Sequence, residues 1–177
     1  MVYFITGNAE KFDETKRVIS EIERIAWDLD EIQEIDSRKI IDKKIKLAFE
    51  HIRGDFVVED TSLAIKSIGG LPGPLIKWFL KTLGNNGIYK IVRSTGKFEA
   101  EAKVVLGYAK NKEEVFFFEV SQRGKIVAPL HSTNFGWDPL FQPDGENKSY
   151  AELRKENPDF MSVRKLAFLK LRDFLYK

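Results

Sequence analysis

Val2-Tyr3-Phe4-Ile5-Thr6-Gly7-Asn8-Ala9-Glu10-Lys11 is the stretch whose reading decides the fold class. Residues 2–6 (VYFIT) are apolar and β-prone, the pattern of a short buried strand. Gly7-Asn8 breaks that strand. A helix is predicted next, with Asn8 as N-cap and Phe12, Thr15, Val18, Ile19 and Ile22 on one face. Working outward, residues 24–29 read as a second strand. Residues 37–52 read as a helix, because Ile41, Ile45, Ala48, Phe49 and Ile52 recur at helical spacing. Residues 55–59 (DFVVE) read as a strand ending in polar residues. Residues 69–74 (GGLPGP) form a loop, and residues 75–83 and 87–94 are helical, broken at Gly84-Asn85-Asn86. Residues 98–109 alternate like a half-buried strand and turn at Asn111-Lys112 into a partner over 114–120. A short strand over 124–129, an aromatic loop over 135–141 and a last helix over 162–176 complete the chain. Early alternation of strands and helices followed by a meander predicts an α/β protein with a mixed sheet.

The 177 residues suit one domain, with a core large enough to need no covalent staples. There is no cysteine, which excludes disulfides and cysteine-held zinc and fits the cytoplasm. No apolar run reaches the roughly 20 residues that span a bilayer, and residues 1–6 lack the basic region of a signal peptide. The net charge of +2, from 29 basic and 27 acidic side chains, does not suit a protein that coats nucleic acid.

Four segments carry chemistry. At Thr6-Gly7-Asn8 a strand gives way to a helix, whose free N–H groups and partial positive charge suit a phosphate; Gly7 permits close approach and Lys11 adds a full charge one turn in. Without a Walker or dinucleotide fingerprint, the same residues also suit an ordinary turn. Glu59 and Asp60 adjoin at the end of the third strand. Hard oxygen ligands suit Mg²⁺, and neighbouring strand residues face opposite ways, so one of the two, Asp60, is expected at a metal. Phe135-Gly136-Trp137-Asp138-Pro139 offers a stacking slot for a base with a carboxylate at its edge, or else a hydrophobic loop packed on the core. Lys77 follows the proline-ordered loop GGLPGP, where a lysine is ordinarily solvated.

Together the segments TGNAEK, VEDTSL, GGLPGPLIKWFL, FGWDPLFQPDG and YAEL, in this order, resemble the inosine triphosphate pyrophosphatase family over residues 6–164. The resemblance implies an elongated two-lobed mixed sheet flanked by helices, usually a homodimer, with the substrate between the lobes. It implies Mg²⁺-dependent (Mn²⁺ is an alternative) hydrolysis of ITP, dITP and XTP to the monophosphate and pyrophosphate, with no nucleic-acid or membrane partner. On matching positions it implies that Thr6, Asn8, Lys11, Lys44 and Lys77 hold the triphosphate. Glu14, Glu31 and Asp60 match the acidic metal and water site, with Asp60, Lys11 and Glu14 as the catalytic set and Glu31 and Asp60 on the metal. Phe135, Trp137 and Asp138 match the base pocket, and Ser162 and Arg164 match residues that read the purine 6-keto group.

The chain departs from this pattern where the family has a Lys-Asn pair and a Ser-His-Arg motif. Pro158, Asp159 and Val163 stand at the expected lysine, asparagine and histidine. The implied discrimination against adenine is therefore weaker than in members with the complete motif. The alternative reading is a purine-nucleotide-binding relative with altered specificity or low activity.

Overall fold

Thr6-Gly7-Asn8 joins a first strand, β1 (Tyr3–Ile5), to a first helix, α1 (Ala9–Lys16). The computed structural model describes residues 1–130 and 136–177. Asn8 caps α1: its side-chain oxygen accepts from the Lys11 N–H at 3.0 Å. Gly7 has no room for a side chain, because a Cβ there would lie 2.9 Å from Asp28 Cβ. Its bareness thus serves packing against the chain's own Asp28. After β2 (Glu23–Ile25), Asp36 caps α2 (Ser37–His51) by accepting from the Arg38 N–H at 2.9 Å. Then β3 (Phe56–Ile65) lies parallel to β1, with Phe4 opposite Val57, and β2 pairs parallel on the other side of β1, with Ile5 opposite Ile25.

The chain divides into two units. The first holds Met1–Thr61, Val104–Val120 and Val163–Lys177; the second holds Ser62–Lys103 and Ser121–Ser162. In the first unit, Ile41, Ile45 and Ala48 of α2 pack with Ile5, Phe56, Val58, Val105 and Ala109 of the sheet. The last helix, α5 (Val163–Leu175), buries Ala167, Phe168 and Leu171, and Phe168 meets Phe4 edge-on at 5.1 Å. The inward face of α1 is unusual, for it buries Glu14 and Thr15 rather than an apolar stripe.

The second unit contains β4 (Pro72–Gly73), antiparallel to β3, and α3 (Ile76–Thr95), whose helical geometry is interrupted at Gly84. Two long strands, β5 (Glu99–Ala109) and β6 (Val115–Ile126), have residues in both units. A short strand, β7 (Phe141–Pro143), lies antiparallel to β6, and α4 (Tyr150–Glu156) follows. Among the described residues the strand order is β2-β1-β3-β5-β6-β7, with β4 beside β3, a mixed sheet of seven strands flanked by helices. No helix among the described residues is long and apolar enough to cross a membrane.

Several elements differ from the expectations. The strand expected to stop at Glu59 runs on to Ile65, so Glu59 and Asp60 lie in its middle. The partner strand over 114–120 and the strand over 124–129 are one element, β6. Gly124 marks a close backbone approach inside it, since a Cβ there would meet the Gln142 carbonyl oxygen at 2.3 Å. The second strand is three residues long. Helix α4 was not expected, although Ser149 and Glu152 form a reciprocal capping box that the spacing S-x-x-E announces.

Candidate active site

Glu59 and Asp60 are adjacent on β3, and their environments are opposite in character. The Glu59 carboxylate is enclosed by donors. Arg164 from α5 reaches it with Nε at 2.7 Å and Nη2 at 3.1 Å, Lys11 Nζ lies at 2.9 Å, and the Thr61 hydroxyl donates at 2.6 Å. Burial opposes its charge, but Arg164 and then Lys11 outweigh that penalty and hold the carboxyl well below the usual range. Arg164 also places Nη1 2.7 Å from Glu14, so one guanidinium joins two buried carboxylates. Burial disfavours the guanidinium charge, and Glu59 and Glu14 restore it and push its pKa further up.

Asp60 has no such ion pair among the described residues. It is 5% exposed, and its Oδ2 has no hydrogen-bond partner among the described residues. Burial pushes its carboxyl above the usual range; a hydrogen bond from Ser37 and the charge of Lys44 pull the other way without cancelling the effect. Lys44, buried on α2, donates to Glu31 at 2.6 Å and to the Glu59 carbonyl at 2.7 Å. Mg²⁺ is held by one or two carboxylates together with substrate phosphates. The unpartnered oxygen of Asp60, with Glu31 sharing Lys44 beside it and 36% exposed, fits that demand. Among the described residues no three acidic or histidine side chains group as a ready-made metal cage. The fit is to a metal that arrives with phosphate.

The aromatic turn belongs to the second unit. Trp137 is buried and packs edge-on against Phe141 at 5.7 Å and in a tilted arrangement against Tyr150 at 5.8 Å. Asp138, also buried, opens a single 3₁₀ turn (Asp138–Leu140), and its Oδ2 lies 2.5 Å from Arg154 Nε. Asn85 Nδ2 donates to the Gly136 carbonyl at 3.1 Å.

The structure thus gathers Lys11, Glu14, Glu31, Lys44, Asp60 and Arg164 around the middle of β3, in the first unit, along with Thr6 and Asn8 at the start of α1. Lys77, Trp137, Asp138 and Ser162 belong to the second unit, and Phe135 lies outside the described residues. A family model described as the Ham1 family matches residues 2–174. This chain belongs to the Ham1 family. An inosine triphosphate pyrophosphatase of Schizosaccharomyces pombe is 39% identical over 178 residues, covering 98% of this chain and 94% of that one. Another from Puccinia graminis f. sp. tritici is 38% identical, covering 96% and 93%. A solved Ham1 protein from Coxiella burnetii superposes with a TM-score of 0.83 at 18% identity, covering 99% of both chains.

In this Ham1-family chain two side chains that the resemblance assigns to the substrate and to the acidic site have partners within the chain. Arg164, expected as a donor aimed at a purine, directs all three of its nitrogens to Glu14, Glu59 and Thr61 of its own chain. Glu14, expected in the catalytic set at the acidic site, faces that guanidinium. The physical reason is burial: two carboxylates within the fold need a cation, and a planar fork satisfies both at once. Sequence reasoning missed Ser37, whose hydroxyl lowers the Asp60 pKa against the effect of burial, and Arg24, which holds the β1–α1 turn through the carbonyls of Thr6 (3.1 Å) and Gly7 (2.7 Å). Neither residue stands in a motif that marks it.

Proposed function

We propose that this chain hydrolyses purine nucleoside triphosphates outside the standard set (ITP, dITP and XTP) to the monophosphate and pyrophosphate, as a cytoplasmic homodimer. The observation that carries this reading is the unpartnered, buried oxygen of Asp60 beside Lys44 and Lys11, in a chain of the Ham1 family. Asp60 takes a proton from water and aims that water at the α-phosphorus. The new P–O bond forms as the α–β bridging P–O bond breaks, and pyrophosphate departs with the bonding electrons. Burial favours this role, because a carboxyl with a raised pKa is the better base. Asp60 with Glu31 would hold Mg²⁺, or Mn²⁺ in its place, which supplies charge stabilisation on the phosphate oxygens and a more acidic water.

Lys11 and Lys44 offset triphosphate charge by position rather than by covalent chemistry. Thr6 and Asn8 contribute from the N-terminus of α1, where orphan N–H groups favour anions. Lys77 is assigned to phosphate, and Phe135, Trp137, Asp138 and Ser162 to the base. Arg164 acts at one remove: it fixes Glu59, and Glu59 in turn holds Lys11.

Pyrophosphate release from ITP, with and without Mg²⁺, tests the reading. The expected outcome is stoichiometric monophosphate and pyrophosphate, lost on chelation and restored by added Mg²⁺. Release of orthophosphate in place of pyrophosphate, or no turnover of ITP and XTP, would refute it.

A further inference from the structure

We infer that Arg154 is a positioning residue for purine selection, acting through Asp138; the inference rests on the proposed assignment of Asp138 to the base pocket. Arg154 directly follows the YAEL segment and lies in the last turn of α4. Its Nε stands 2.5 Å from Asp138 Oδ2, with the two side chains 21% and 5% exposed. Its guanidinium also lies over the Tyr150 ring at 5.8 Å, so the side chain is packed as well as paired. Tyr150 is fully buried and meets Trp137, Phe141 and Phe160. The Gly136-Trp137-Asp138 turn is therefore anchored twice, from α3 through Asn85 and from α4 through Arg154.

The contact is an ion pair by distance rather than an aligned hydrogen bond, and it keeps the Asp138 carboxylate beside α4. That placement bears on selection. An ionised carboxylate only accepts hydrogen bonds. Hypoxanthine and xanthine present an N1–H donor, whereas adenine presents a lone pair at N1. An Asp138 carboxylate kept in place by Arg154 favours the 6-oxopurines and leaves adenine mismatched, and a polar mismatch discriminates strongly.

The test is a double-mutant cycle of Arg154→Ala and Asp138→Asn, with Arg154→Lys alongside, read as kcat and KM for ITP and ATP. In Arg154→Ala the ratio of kcat/KM for ITP over ATP should fall about tenfold, chiefly through a raised KM for ITP, as expected for a coupled contact pair. Arg154→Lys should recover part of the ratio. In the Asp138→Asn background Arg154→Ala should add nothing further. If Arg154→Ala fails to fold, the cycle is read with Arg154→Lys, whose smaller fall must likewise vanish in the Asp138→Asn background. An unchanged ratio, a fall in kcat at unchanged KM, or an undiminished effect without Asp138 would overturn the role of Arg154. A wild-type protein that releases no pyrophosphate from ITP would overturn the proposed function and this inference with it.

Discussion

Replacing Arg164 with methionine would strip two buried carboxylates of their shared counter-ion. Glu59 and Glu14 lie 2.7 Å from its nitrogens, and all three side chains are within the fold. Breaking such a pair by removing one partner costs about 3–5 kcal/mol, because the remaining charge is buried and uncompensated. For a chain of this length that corresponds to a fall in Tm of about 6–20 °C. The cost depends on pH with a definite sign. In the native protein Glu59 is held below its usual pKa, so its pairing stabilises above the unfolded value of about 4.3 and is lost as pH falls through the lower native value. In the variant the burial penalty on Glu59 loses its main opponent, and the carboxyl binds a proton more readily. The loss of stability should thus be largest at pH 7.5 and clearly smaller at pH 4.5. Urea unfolding followed by tryptophan fluorescence at both values measures it. A loss under about 1 kcal/mol, or an equal loss at both pH values, would refute the claim that Arg164 is a counter-ion of the fold. Lowered activity with stability untouched would instead return it to the substrate.

Asp60→Asn should cut pyrophosphate release by at least about a hundredfold while leaving Tm equal or higher, since a buried charge disfavoured by its surroundings is removed. Because burial holds the metal-free carboxyl above its usual range and it must be ionised to act, wild-type kcat/KM at subsaturating Mg²⁺ should rise with pH through an acid limb above about 4; a profile flat from pH 4 upward at that Mg²⁺ would exclude Asp60 as the base. Ser149→Ala removes the cap of α4 and should cost about 1 kcal/mol in urea unfolding, with kcat for ITP unchanged; no loss would mean the capping box is idle in solution.

Local chemistry alone determined much of this protein. The β1–α1 turn, the Asn8 cap, the apolar stripe of α2 and the break at Gly84 are written in residues no more than a few positions apart, and short-range sterics and hydrogen bonds decide such features. Asp60 was singled out the same way, from strand alternation and the affinity of hard cations for oxygen. What remained hidden depended on partners far along the chain. Glu59 and Asp60 looked like the end of a strand because unpaired charge is costly to bury, and only the folded chain supplies Arg164, 105 residues away, to neutralise the first. The same long-range pairing gave Arg164 a role among carboxylates, left Asp60 with its uncompensated oxygen, and set Arg154 against Asp138. Which of several similar charges finds which counter-ion is decided by tertiary contacts, because Coulomb attraction in a dry interior depends on separation in space and ignores separation along the chain.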